Sequence, residues 1–230
     1  KKGQRMVLPI TEVTLAYEDV FALDLPFAPP LEMRRNFNSD QHLQLARLFH
    51  APRAIHKLRL DNRSETPLTT APATIFKDGR ILAQGMMAYT TIGGKGDLEV
   101  TTALEITVDH SDRQTNVTPN AVQWNGSSFS RVDMEGTIRL KHYGGKPAKG
   151  IVKRSVMGTL DAAGREGQIR QLGHGYDAYA FEGGAPFWWN WCSWPWWWYR
   201  FNSIGQASWT ADLEPGESVE LTYTWHYFWN

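Results

Sequence analysis

The sequence predicts an all-β protein, an antiparallel β-sandwich. Short segments alternate apolar and polar residues, turn residues separate these segments, and only one stretch has helical spacing. About ten such segments are typical of a sandwich or barrel, and the scarcity of helices excludes a parallel α/β fold. We treat residues 1–230 as one domain, because this length suits a single large β domain.

The N-terminal part of the sequence predicts strands and then a helix. Residues 6–27 alternate apolar and polar side chains and end near Pro26, which predicts one or two strands and a proline-stiffened connection. The one helical spacing follows, and Asn38 and Gln41 stand at the positions of a capping box. We therefore expect one short helix near residues 39–50.

From Ile55 onward the apolar residues recur with a period of two, which predicts strands. The first ends at the polar turn after Asp61, and the further candidates are 73–76, 81–89, 98–108, 129–134, 137–142, 151–160, 207–213 and 219–228. Asp78-Gly79 and Asn125-Gly126 are the strongest turn signals between them, since these residues tolerate positive φ.

A weak internal repeat has two explanations. Leu58-Arg59-Leu60 and Ile138-Arg139-Leu140 are each followed by a polar turn and then a proline. The two segments are either equivalent hairpins of two related halves or the same strand-and-turn pattern repeated by chance. The sequence leaves both open.

Residues 161–186 interrupt the alternation. Their shared feature is glycine without any period, at Gly164, Gly167, Gly173, Gly175, Gly183 and Gly184. A loop of this length is usually functional or mobile, so we expect an inserted loop that acts as a flap over the segment that follows.

That segment, residues 187–201, contains seven of the 11 tryptophans and is called here the Trp-rich segment. Neither a strand nor a helix directs so many rings to one core, so we expect some to face outward. The candidate binding residues are Trp188, Trp189, Trp191, Trp194, Trp196, Trp197, Trp198, Tyr199 and Arg200.

Four interpretations of the Trp-rich segment compete. The rings could plug one end of the sandwich, as aromatic residues most often do. They could form an interface with another protein or another copy of the chain. They could stack on sugars, with Asn190, Ser193 and Arg200 as hydrogen-bonding groups. An interfacial membrane anchor is disfavoured, because the run contains almost no lysine or arginine.

Composition excludes several classes of partner and site. The 24 basic residues equal the 24 acidic residues, so no net charge attracts nucleic acid. With Cys192 as the single cysteine, an intrachain disulfide is excluded and a cysteine-built zinc site is not expected. No run is long and apolar enough to predict a transmembrane helix. We predict no cofactor.

No motif assigns a reaction, so whether the chain is an enzyme is left open, with a non-enzymatic role favoured. The histidine spacings match no metal motif, and a cross-strand cluster of His110 with Asp109 and Asp112 is explained more simply as solvated residues. We predict no metal. A glycan-directed hydrolase would need an acidic pair, for which the candidates are Glu99, Glu105, Asp133 and Glu135. Glu99 and Glu105 share a face if that strand is regular.

Two stretches resemble the C-terminal β-rich domain of uncharacterised bacterial proteins grouped as the DUF4139 family. The first runs over residues 58–89 and includes Leu58-Arg59-Leu60 and Asp78-Gly79-Arg80; the second contains Glu214-Pro215-Gly216-Glu217. The resemblance implies a β-sandwich module that is exported or associated with the cell envelope, without an established enzymatic activity. It implies no catalytic residue and does not include the Trp-rich segment.

These expectations combine into one functional hypothesis and one alternative. The chain is expected to be a non-enzymatic, extracytoplasmic β-sandwich that contacts another protein or another copy of itself through the Trp-rich segment. The alternative is a carbohydrate-active protein, either a sugar-binding module or a glycoside hydrolase, that stacks glycans on the same rings.

Overall fold

The computed structural model describes residues 11–49, 52–172 and 185–230, and most of them lie in antiparallel β-strands. This confirms the all-β prediction. The chain divides into two compact units, the first made of residues 1–20 and 56–101 and the second of residues 21–55 and 102–230. A single domain over residues 1–230 stays a prediction.

The first unit contains a small sheet and a hairpin. The sheet has the order β1-β2-β5, with β1 (Ala16–Leu25) passing into the second unit after Val20, β2 (Ile55–Asp61) and β5 (Lys95–Thr102). The hairpin pairs β3 (Ala71–Lys77) with β4 (Arg80–Met87). Its turn residues Asp78 and Gly79 have φ of 50° and 74°, as the sequence predicts.

The second unit is a β-sandwich. One sheet has the order β10-β11-β8-β1 and the other the order β6-β7-β12-β9. Alternate residues of both sheets, such as Val152 and Ile138, are fully buried and belong to one hydrophobic core. The strands are β6 (Ile106–Trp124), β7 (Ser127–His142), β8 (Ala148–Val156), β9 (Thr159–Ala163), β10 (Gln168–Gln171), β11 (Gly205–Leu213) and β12 (Ser218–Trp229).

The predicted helix is confirmed as α2 (Ser39–Phe49), which follows the one-turn helix α1 (Leu31–Arg34). Its capping box is also confirmed. The Asn38 side chain accepts a hydrogen bond from the Gln41 backbone N–H at 2.9 Å, and the Gln41 side chain accepts one from the Asn38 N–H at 2.9 Å. Among the described residues, no helix combines the length and apolarity needed to cross a membrane.

Several strand boundaries differ from the predictions. The predicted strand 98–108 is two strands, β5 and β6, and the predicted strand 151–160 is likewise divided between β8 and β9. The sequence predicts no strand over residues 109–124, although β6 continues there, because residues 113–121 are exposed and polar side chains mask the alternation. Conversely, the predicted strands 129–134 and 137–142 are one strand, β7.

The predicted loop 161–186 is wrong at residues 161–163, which end strand β9, and at residues 168–171, which form strand β10. Strand β10 escapes detection because all four residues are exposed and carry no apolar alternation. Residues 173–184 lie outside the described part of the chain, so the proposed flap stays a prediction.

Candidate functional site

A glycine in the middle of β7 organises a buried polar network in the second unit. Gly136 pairs with Asp112 of β6 on one side and with Tyr223 of β12 on the other. The Tyr223 ring fills the space that a side chain at Gly136 would occupy, since a Cβ there would overlap the ring. The phenol therefore crosses β7, and its hydroxyl donates to the Asp112 carboxylate at 2.7 Å.

Arg154 of β8 joins this network from the opposite sheet. Its Nε donates to the Tyr223 hydroxyl at 2.8 Å and its Nη2 to the Asp112 carboxylate at 2.6 Å. Its Nη1 donates to the backbone oxygen of Pro26 at 2.5 Å. His110 lies two residues before Asp112 on the same face of β6, with Nε2 3.1 Å from the carboxylate. The network thus links the two sheets of the sandwich.

The charge states in the network are fixed by its geometry. Burial alone would raise the pKa of Asp112, but the His110 hydrogen bond, the Arg154 charge and the Tyr223 hydroxyl hold it well below its ordinary range. Burial raises the pKa of Tyr223 far above its usual value. A carboxylate and a phenol shifted in these directions form a stable ion-pair network rather than a proton-transfer pair near neutral pH.

A cavity of about 260 Å³ opens beside the network within the second unit. Its polar lining consists of Arg34, His110, Asp112 and Arg154. Its wall is otherwise mainly apolar, made of Ala28, Pro29, Pro30, Leu31, Phe49, Met134, Val156, Met157, Trp225 and Tyr227. A concave, mostly apolar cavity with a few polar groups is the usual form of a small-molecule site.

The Trp-rich segment folds as two short helical turns rather than as one regular element. Each turn begins after a proline: the Trp189 N–H donates to Pro186 at 2.9 Å, and the Trp198 N–H donates to Pro195 at 2.9 Å. Because the turns direct successive rings around the chain, Trp188 and Trp198 enter the core at 0% and 2% exposure.

Most of the other candidate rings pack on that core and on one another. The half-buried members are Trp189, Trp191, Trp194, Trp197 and Tyr199. Trp189 stacks on Trp194 at 4.2 Å between ring centroids, and Phe27 meets Trp188 edge-on at 5.7 Å. The plug interpretation therefore fits most of the segment, which closes one part of the sandwich core.

Trp196 is the exception. Its side chain is 67% exposed, and its ring centroid lies 4.7 Å from that of Trp124, which ends β6. The exposed Arg200 lies over the Trp124 ring with its guanidinium carbon 4.9 Å from the centroid. The large side chains of the Trp-rich segment that face outward are thus Trp196, Arg200 and Phe187, the last of which is 53% exposed.

Hairpin β3–β4 of the first unit carries an apolar surface that the sequence analysis does not identify. The cross-strand pairs on one face are Pro72 with Met86, Thr74 with Gln84 and Phe76 with Ile81, and all six residues are exposed. The opposite face is half-buried, and a Cβ added at Gly85 would lie 3.3 Å from the Glu99 backbone oxygen of β5.

The sequence does contain a signal for this surface. Ile75-Phe76 and Ile81-Leu82 are consecutive apolar pairs on either side of the Asp78-Gly79 turn. Because neighbouring residues in a strand point to opposite faces, such pairs indicate that both faces carry apolar side chains. A register shift near Phe76 leaves Leu82 exposed as well, at 53%.

The four acidic candidates lie in different surroundings. Glu105 lies in the turn between β5 and β6, so the regular strand on which a face shared with Glu99 depends is not formed. Asp133 accepts a hydrogen bond from Arg131 at 2.6 Å, and Glu135 accepts one from Arg113 at 2.6 Å. These carboxylates are members of surface ion pairs on β7.

Residues 11–49, 52–172 and 185–230 contain neither a metal-binding cluster nor an activated thiol. No group of three His, Cys, Asp or Glu side chains there could hold a metal ion. Cys192 is half-buried, and its burial raises the pKa of the thiol to about 11. It packs against the core as a small apolar side chain.

Comparison of the chain with protein-family models, with curated proteins and with solved structures finds no match. The resemblance to the DUF4139 family stays a prediction. The functional conclusion therefore depends on the surfaces and the cavity of the chain itself.

Proposed function

We propose that the chain is a non-enzymatic assembly module in which the exposed face of hairpin β3–β4 binds the same face of a second copy. One observation carries this proposal: Phe76, Ile81, Leu82 and Met86 are 64%, 59%, 53% and 60% exposed on one two-stranded sheet. Large apolar side chains grouped on a surface usually mark a contact.

The distribution of charge supports a second copy as the partner. The exposed face carries no charged residue, and the charges of the hairpin lie at its tip, at Lys77, Asp78 and Arg80. A twofold arrangement with the two hairpins antiparallel places the tips at opposite ends, separated by roughly 25 Å for strands of this length. Such an interface is self-complementary, as twofold contacts between identical chains require.

The proposal is tested by removing the apolar side chains and measuring the mass in solution. In a triple variant with Phe76→Ser, Ile81→Ser and Met86→Ser, the dimer should dissociate to the 26.2 kDa chain. Light scattering after size-exclusion chromatography measures the mass. A matched control replaces three exposed apolar residues elsewhere, with Ile92→Ser, Leu104→Ser and Val117→Ser, and should remain dimeric. A triple variant with the same mass as the wild type would contradict the proposal.

A second candidate function is glycan binding at Trp196. Its support is the 67% exposed ring, with the Arg200 side chain and the polar Asn190 and Ser193 in the same segment. The rings of Trp124 and Trp196 are tilted by 50°, so a sugar would stack on one ring rather than across both. Tryptophan fluorescence should then respond to soluble glucans, xylans or chitin oligomers in the wild type and not in a Trp196→Ala variant. A flat titration across the panel removes this candidate.

The cellular location is part of the proposal. We propose that the module acts outside the cytoplasm, and the support for this is the resemblance of two stretches to an exported family of β-rich domains. Contact with a different protein or another copy through the Trp-rich segment likewise stays a prediction. A pull-down that compares the wild type with a Trp196→Ala variant tests it.

A further inference from the structure

We propose that the cavity of the second unit binds a small amphipathic carboxylate, whose head group pairs with Arg34 and whose chain lies against the apolar wall. This site is separate from the assembly surface of the first unit and does not depend on it. The proposal follows from three features of the cavity: an arginine with unused hydrogen-bond donors, neighbouring charged groups that make their hydrogen bonds to other residues, and a small apolar wall.

Arg34 is the arginine with unused hydrogen-bond donors. Its Nε donates to the Pro29 backbone oxygen at 2.7 Å, while its two terminal nitrogens have no hydrogen-bond partner within the described parts of the chain. The side chain is half-buried, and this burial lowers the pKa of Arg34 from its ordinary value. A guanidinium fork with free donors and restricted access to water matches a carboxylate in shape and charge.

The other charged groups near the cavity make hydrogen bonds to groups other than Arg34. Arg154 uses all three guanidinium nitrogens on Tyr223, Pro26 and Asp112, and so leaves no charge for a ligand. Asp112 is neutralised by Arg154 in return. Glu32, close to Arg34, accepts a hydrogen bond from the Tyr227 hydroxyl at 3.2 Å. The hydrogen-bond donors that remain available to a ligand are therefore the two terminal nitrogens of Arg34, and a carboxylate is the head group that complements them.

The apolar wall of the cavity limits the size and polarity of the ligand beyond its carboxylate. The cavity volume of about 260 Å³ is below the range of drug-sized pockets, which favours a single short chain over a polycyclic body. Met134 and Met157 are adaptable side chains that accommodate a flexible chain. Trp225, which is 8% exposed, adds an aromatic surface to this wall.

The test uses n-octanoate as the probe, measured by titration calorimetry and by tryptophan fluorescence. The wild type should bind octanoate at least about tenfold more tightly than n-octanol and should not bind n-octylammonium, because one charge-assisted pair contributes this much. An Arg34→Met variant should lose the preference for octanoate over octanol. Arg35→Met, at the exposed neighbouring arginine, is the matched control and should bind octanoate as the wild type does.

Each outcome decides the proposal. No octanoate binding by the wild type, equal binding of octanoate and octylammonium, or unchanged binding by Arg34→Met would overturn it. Near-ultraviolet circular dichroism shows whether Arg34→Met keeps its core packing. If Arg34→Met loses its core packing, two other results test the proposal. One is the comparison of the three probes on the wild type. The other is octanoate binding by Arg34→Lys, which keeps the positive charge but lacks the planar guanidinium. Reduced binding by Arg34→Lys supports the proposal, and unchanged binding contradicts it.

Discussion

Gly136 is the residue on which the polar network of the second unit depends. Gly136 lies between Asp112 of β6 and Tyr223 of β12. Because it has no side chain, the Tyr223 ring can cross β7 and reach Asp112. Gly136, which falls between the predicted strands 129–134 and 137–142, is therefore a packing site inside one strand. The network in turn links the two sheets through Arg154.

A Gly136→Ala variant tests this packing. The added methyl group would overlap the Tyr223 ring, so we expect the free energy of unfolding to fall by about 1–3 kcal/mol. Urea denaturation followed by fluorescence measures the change. Gly145→Ala is the control, because a Cβ there meets no atom within 4 Å, and its effect should stay within about 0.5 kcal/mol. Equal effects of the two variants would contradict the packing.

We expect the Asp112 carboxylate to stabilise the buried charge of Arg154. An Asp112→Asn variant leaves the guanidinium buried beside a neutral amide, and we expect a loss of about 3–5 kcal/mol in the free energy of unfolding. Asp109→Asn, at an exposed position of the same strand, should have little effect. A loss at Asp112 no larger than that at Asp109 would show that the network does not stabilise the fold.

The same carboxylate predicts an acid dependence of stability. Its pKa is lower in the folded chain than the ordinary value of 3.8, so its stabilisation is complete above that pH and is lost as pH falls further below it. Unfolding measured between neutral pH and pH values below 3.8 should therefore show a steeper loss for the wild type than for Asp112→Asn. Parallel curves for the two proteins would contradict the assignment.

At the scale of elements, the Trp-rich segment combines core residues with one surface residue. Trp188→Ala should cost about 3–5 kcal/mol of unfolding free energy, because it empties a fully buried site. Trp196→Ala should change this free energy by less than about 0.5 kcal/mol, because the ring is exposed. Thermal and urea unfolding measure both. A large loss at Trp196 would mean that its ring belongs to the core.

The elements differ in how well the sequence predicts them. Strands β11 and β12 are predicted because one face of each is buried and the other is not, which produces clear alternation. Helix α2 is predicted by its capping box and spacing. The outer part of β6 is missed because its residues are exposed on both faces, so pairing with β7 rather than burial holds it as a strand.

The site is less predictable than the fold, for a physical reason. Asp112 and Tyr223 are 111 positions apart, and only the pairing of three strands brings them together. The sequence identifies Asp112 and His110 as neighbours, but it gives no sign of Arg154, which arrives from the other sheet. The exposed hairpin face could be predicted more easily than the polar network, because the consecutive apolar pairs around its turn are visible in the sequence.

At the scale of the whole molecule, we propose that function depends on contact surfaces rather than on a reaction centre. Asp112 and two of the four acidic candidates, Asp133 and Glu135, each have an arginine partner. The apolar groups on the exposed hairpin face have no cover within the described residues. Assembly with a second copy is therefore the central claim.

Sedimentation equilibrium of the unmodified chain over a wide range of concentrations tests this claim most directly. We expect the mass to rise with concentration from 26.2 kDa and to level off at twice that value, as a closed twofold contact requires. A mass that stays at 26.2 kDa at every concentration would contradict it. So would a mass that continues to rise without a plateau, because an open-ended contact is not the twofold interface of the hairpin.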